Sequence, residues 1–97
     1  MIRNVVTGRL SSPDGRAAVT AALAGIDALR LPGMLRSTTG FDAGLRDGGW
    51  DFAIVNDFAG ADAYARYDVD PEHLRHREAI VARCAAVTRV QFEVPDA

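Results

Sequence analysis

Nine residues in the middle of the chain constrain its fold more than any others. From Trp50 to Phe58, the residues Trp50, Phe52, Ile54, Asn56 and Phe58 fall on one side of an extended backbone, and Asp51, Ala53, Val55 and Asp57 fall on the other. That is a strand with one face on a core. Its neighbours supply what the core needs. Residues 2–9 form a β-branched run closed by Ser11, Ser12 and Pro13, with Ser12 placed to cap a helix and Pro13 in its first turn. Val19, Ala22, Leu23, Ile26 and Leu29 then recur at helical spacing, an apolar stripe that must lie on a sheet, until Leu31-Pro32-Gly33 ends it. Met34 to Phe41 reads as a strand, and the glycine-rich stretch from Asp42 to Gly49 reverses the chain.

Beyond the central strand, Gly60 to Tyr67 reads as a short helix broken near Asp68. A second piece starts at Asp70 (N-cap), Pro71 and Glu72 and runs to about Cys84, which places Cys84 in the core. Val87, Val90, Phe92 and Val94 mark a closing strand ended by Pro95. The order is β-α-β-β-α-β, the ferredoxin-like α+β arrangement with an antiparallel sheet and helices on one face. The expectation is one domain over residues 1–97. The uncovered face of the sheet carries apolar groups, and a chain this short buries only roughly 60–65% of its unfolded surface. A homodimer packed sheet against sheet follows from burial.

Composition excludes several function classes. Eleven basic and thirteen acidic residues leave a net charge of −2 without long runs of either sign, which argues against nucleic acid or an anionic membrane as partner. All the basic residues are Arg, so no lysine is present to form a Schiff base. A lone cysteine rules out an internal disulfide and a multi-thiolate zinc site, and suits the cytoplasm. Met1 to Leu10 lacks the roughly 7–15-residue apolar core of a signal peptide. No stretch approaches the ~20 apolar residues of a membrane span. No glycine-rich phosphate loop follows a strand.

A few polar residues stand out as candidates for chemistry. His73 lies in the first turn after Asp70-Pro71, where free backbone N–H groups and the helix dipole disfavour a charged imidazole and leave a base near neutrality. Tyr67 precedes the helix break, which can fold its phenol back toward His73 to form an acid–base pair. The plainer reading is a core tyrosine and a histidine bonded to a backbone carbonyl. Asn4 and Asn56 interrupt apolar strands, each as a structural bridge or as a group aimed at a ligand carbonyl. Asn4 is the stronger candidate, because its alternation partners Ile2 and Val6 face the helices. His73 and His76 are spaced for one helix face, but a pair without a third ligand more often marks a polar edge than a metal site. Trp50 reads as a cap on the core or the dimer edge.

Met1 to Val6, Leu31-Pro32-Gly33, the Trp50 to Phe58 strand, Tyr67-Asp68-Val69-Asp70-Pro71-Glu72-His73 and Val90 to Val94 together resemble the stress-responsive A/B barrel (Dabb) domain family of dimeric α/β-barrel proteins. The resemblance implies a ferredoxin-like subunit whose sheet pairs with its twin's to close a barrel. The family includes stress-accumulated proteins and a plant polyketide cyclase that works by aldol condensation. The cyclase's tyrosine–histidine pair matches Tyr67 and His73, whereas two of its other pocket histidines fall on Asn4 and Phe52.

The leading expectation is a cofactor-independent cyclase or lyase acting on a small, mostly apolar β-keto compound. His73 would take the α-proton, Tyr67 would donate to the developing oxyanion, Asn4 would hold a carbonyl, and Val6, Phe52 and Ile54 would form the apolar wall, with no metal. The alternative is a non-catalytic stress-responsive homodimer that binds a hydrophobic metabolite. A third class is a haem-linked or metal-dependent oxygenase with His73 or His76 as ligand.

Overall fold

A computed structural model describes residues 1–95. Of the domain expected over 1–97, Asp96 and Ala97 lie outside the described residues. Strands β1 (Ile2–Leu10), β2 (Met34–Phe41), β3 (Phe52–Phe58) and β4 (Cys84–Glu93) and helices α1 (Arg16–Ala28), α2 (Ala61–Val69) and α3 (Pro71–Val81) follow one another in the order β1-α1-β2-β3-α2-α3-β4. The four strands form one antiparallel sheet in the order β2-β3-β1-β4, with the helices on one face. This is the ferredoxin-like α+β arrangement that the periodicities require.

The stripe on α1 is buried as its spacing demands, from Val19 to Leu29. Ser12 does cap the segment after β1, accepting a hydrogen bond from the Asp14 amide at 3.1 Å, but what it caps is a 3₁₀ turn, Pro13–Gly15. The α-helix starts only at Arg16. The central strand is shorter than its alternation suggests and begins at Phe52. Asp51 is diverted, since its carboxylate accepts from the Leu10 amide at 2.7 Å and ties the loop to β1.

The break between α2 and α3 falls at Asp70, two residues beyond the expected position, where the backbone is extended (φ −63°, ψ 129°). Asp70 is the N-cap of α3, its carboxylate accepting the His73 amide at 3.0 Å. The expectation that this helix runs to Cys84 is corrected: α3 stops at Val81, and Cys84 opens β4, paired with Leu10 beyond a bulge in the β1 register. Cys84 is therefore a half-buried strand residue at the rim of the core.

Strand register divides the core in two. Phe52, Ile54, Val6 and Leu10 pack with Val19, Leu23, Ile26 and Ile80. Ile2 and Phe58 pack with Leu29, Ala63 and Tyr67. Between the two clusters the register aligns Ser37, Asn56, Asn4 and Gln91 in one row across all four strands. Gly8 is held by its neighbour in the first cluster, because a Cβ there would lie 2.1 Å from Phe52 Cζ.

The opposite face of the sheet has no helix on it. Val90 and Phe92 are 57% and 45% exposed there, beside the Arg3–Asp57 ion pair at 2.7 Å. Among the described residues, no helix is long and apolar enough to cross a membrane.

Candidate active site

The row of polar residues is a continuous hydrogen-bonded belt. Gln91 Nε2 donates to Asn4 Oδ1 (2.9 Å), Asn4 Nδ2 to Asn56 Oδ1 (2.9 Å), Asn56 Nδ2 to Ser37 Oγ (2.9 Å), and Ser37 Oγ to Asp27 Oδ1 on α1 (2.7 Å). Thr39 Oγ1 donates to the other Asp27 oxygen at 2.6 Å. The Asp27 carboxylate is an acceptor, so Ser37 must donate to it and has its oxygen left for Asn56. That choice orients each amide in turn. Asn4 thus bridges strands, as one of its two sequence readings had it, and beside a cavity its amide nitrogen makes one hydrogen bond among the described residues, which leaves the second N–H uncommitted there.

The cavity lies between the sheet and the helices and has a volume of about 40 Å³. Asn4, Val6 and Ile54 line its floor, and Tyr67, His73, Ile26 and Ile80 line its roof. Phe52, expected in the wall, does not reach it. Its alternation is correct, but the ring is spent filling the first core cluster over Gly8. Tyr64, Asp68, Arg77, Val81, Val87 and Arg89 complete the lining. Val81 and Arg89 are exposed, which puts the mouth between the end of α3 and strand β4. The sequence reading did not single out Arg77 or Arg89. Arg77 was findable at i+4 from His73, whereas Arg89 needed the register that sets it opposite Val6.

The extended backbone at Asp70 brings Tyr67 and His73 together, with ring centroids 3.8 Å apart and planes 28° from parallel. They touch face to face, and the Tyr67 hydroxyl makes no hydrogen bond among the described residues. His73 is 5% exposed, and its Nδ1 is buried without a hydrogen-bond partner of normal geometry among those residues. Burial holds the imidazole below its usual pKa, helped by the positive charge of Arg77 and opposed by the Tyr67 backbone carbonyl, Asp68 and Asp70. Desolvation is thus the first cause that favours the neutral imidazole, the state expected from sequence. Burial also pushes the Tyr67 phenol well above the usual tyrosine range, with Tyr64 adding to the shift. A neutral imidazole and a protonated phenol therefore share one wall.

The two histidines of α3 diverge. His76 packs against Gly25 of α1, where a Cβ would lie 2.2 Å from its Cε1, and its Nε2 sits 3.4 Å from Glu72 Oε1. Among the described residues, no three His, Cys, Asp or Glu side chains are grouped to hold a metal ion.

Fold and cavity define a ferredoxin-like domain with an aromatic and amide-lined pocket between its two layers. The chain belongs to the Stress Responsive A/B Barrel Domain (Dabb) family, whose model matches residues 2–95. A dimeric ferredoxin-like protein of unknown function from Thermobifida fusca is similar, at 31% identity and TM-score 0.84 over 96% of this chain and 90% of that one. Another from Jannaschia sp. superimposes with TM-score 0.86 at 22% identity, over 96% and 98% of the two chains. The hydroxynitrile lyase of Passiflora edulis shares the fold at TM-score 0.77 and 16% identity, over 99% and 94%. No curated protein matches the chain.

Proposed function

We propose that this cavity binds a small, mostly apolar carbonyl compound and carries out cofactor-independent acid–base chemistry at the carbon beside the carbonyl. The observation that supports it is the neutral, buried His73 stacked on Tyr67 in the cavity that Asn4 also lines. In an aldol cyclisation, or in a Claisen condensation that ends instead with collapse of the alkoxide and loss of the acyl leaving group, His73 takes the α-proton at Nε2, the ring nitrogen remote from the Tyr67 carbonyl. The uncommitted Asn4 N–H meets the enolate oxygen. The enolate carbon attacks a second carbonyl, and Tyr67 gives its proton to the resulting alkoxide. The imidazolium then gives up its proton and the phenolate regains one through solvent, so the cycle consumes no net proton. Run backwards, the same groups cleave the carbon–carbon bond. A β-keto substrate fits because its α-proton is acidic enough for an imidazole. The fold is also that of a hydroxynitrile lyase.

The test is α-proton exchange of a 3-oxoacyl thioester in deuterated water, followed by NMR. Wild-type protein is expected to accelerate exchange above buffer, and His73→Gln to lose roughly 10²-fold or more, the usual scale of a positioned general base. No acceleration by the wild type refutes the acid–base reading.

One observation favours a second reading, a non-catalytic binder of a hydrophobic metabolite: Tyr67 and His73 stack instead of sharing a hydrogen bond. Binding without exchange would establish it. In either case we propose a homodimer closed through the helix-free sheet face, supported by exposed Val90 and Phe92 and by the dimeric relatives. Val90→Asp with Phe92→Asp is expected to halve the mass seen by sedimentation. An unchanged mass refutes that face.

A further inference from the structure

The charged residues at the cavity mouth do not cancel. Arg77 Nη1 pairs with Asp68 Oδ1 at 3.1 Å, whereas Arg89 makes no ion pair or hydrogen bond among the described residues. Arg89 nevertheless lines the cavity, standing on the helix-facing side of β4 directly across from Val6 on β1. Beyond it the walls are apolar, from Val6 to Ile80. One carboxylate and two guanidiniums leave a single positive charge where a ligand enters, and the deep end offers the Asn4 amide and the Tyr67 phenol for an uncharged oxygen.

We infer that the ligand is a monoanionic oxo acid, entering ketone first, with its carboxylate held at the mouth by Arg89. This rests on the proposed use of the cavity and adds the substrate class. A guanidinium offers two parallel N–H donors to a carboxylate, and one unpaired cation balances one negative charge. A phosphate dianion would leave a charge unmatched there. Because Arg89 is exposed, its pair is screened by solvent and salt, so the preference it confers is moderate.

The experiment titrates 5-oxohexanoate, 5-oxooctanoate and 5-oxodecanoate, each beside its methyl ester, into the ¹⁵N-labelled protein, with hexyl phosphate as a third kind of probe. Acid and ester share chain and ketone and differ in charge. The expected result is shifts at Asn4 and His73 with both. The acid should bind three- to tenfold more tightly than its ester, and the difference should shrink as salt rises. Arg89→Gln should bring acid and ester within twofold, and Arg89→Glu should reverse the order. Both changes sit on an exposed side chain, and the amide spectrum reports whether the fold is kept. Equal affinity of acid and ester in the wild type, or a preference that survives Arg89→Gln, overturns this inference and leaves the cavity reading standing. Tighter binding of hexyl phosphate than of every acid overturns the carboxylate assignment. Binding of no probe at any chain length overturns the cavity reading and the inference with it.

Discussion

Replacing Asn4 and Asn56 by leucine, singly and together, tests the claim that the polar belt is stable only because its members satisfy one another. Asn56 is fully buried and Asn4 is 3% exposed, and leucine resembles asparagine in branching and size. Asn56→Leu removes the acceptor of the Asn4 amide, and Asn4→Leu strands the Asn56 oxygen among hydrocarbon. A buried polar atom left without a partner costs about 1–3 kcal/mol, so each single variant is expected to lose that much, and independent effects would total about 2–6 kcal/mol. The double variant strands neither atom. Ser37 keeps Asp27, and Gln91 is exposed and turns to water. Its two leucines also join the apolar clusters that the belt now separates, so the expected loss is under about 1 kcal/mol. Urea unfolding followed by circular dichroism and Trp50 fluorescence measures this. All variants are compared at one protomer concentration, because association shifts apparent stability. The singles should also melt roughly 5–20 °C below wild type. If the double variant costs the sum of the singles to within ~0.5 kcal/mol, the account of the belt is wrong. The double variant should in addition lose its affinity for ketone probes, which separates what the belt does for stability from what Asn4 does for a ligand.

Two glycines make a paired test of packing. Gly8→Ala drives a methyl group into the buried Phe52 ring and should cost about 1–3 kcal/mol. Gly25→Ala meets the His76 ring, which is 20% exposed and lies at the end of a flexible side chain that can swing away, and gains helix propensity of about 1 kcal/mol, so its measured change should be much the smaller of the two. The depressed pKa of folded His73 means that the unfolded chain binds a proton first as pH falls. Its contribution to stability is complete above the ordinary imidazole range and is lost below it, so urea midpoints should drop between pH 7 and pH 5, and His73→Gln should flatten that drop. Asp57 is held below the usual carboxylate pKa by its hydrogen bond and ion pair with Arg3, against the opposing effect of burial. That stability is present above the unfolded carboxylate pKa and is lost as pH falls through the folded one. Arg3→Gln should therefore reduce the acid sensitivity below about pH 4, and an unchanged acid limb would show that the pair is not responsible.

How much of this was legible in the sequence depended on how far apart the contacting residues stand. The α1 stripe and the Asp70 cap are local, set by neighbours within a turn, and the structure has them where spacing and capping chemistry put them. Element ends were less accessible, because tertiary contacts decide them. Asp51 leaves the alternation to bond the Leu10 amide, and Cys84 leaves the helix to pair with β1. The Tyr67–His73 contact could be suspected from the break between them, but stacking as opposed to hydrogen bonding depends on the backbone angles at Asp70. The belt was the least legible feature. Asn4 and Asn56 each stood out as a polar interruption, yet Ser37 and Gln91 are unremarkable residues in their own strands, and Asp27 lies on a helix with nothing to mark it. Separations of 52 residues for Asn4 with Asn56 and 87 for Gln91 with Asn4 place these contacts beyond any periodicity. Only register joins them, and a slip of one residue in any strand would turn that strand's member of the row to the opposite face. The belt therefore constrains register in a way that two apolar clusters of similar shape would not, since hydrocarbon packs against hydrocarbon at several offsets, whereas an amide row is satisfied at one. On that argument the double leucine variant, even where it holds its stability, should lose definition of the strand alignment, seen as broadened amide resonances along β1 and β3.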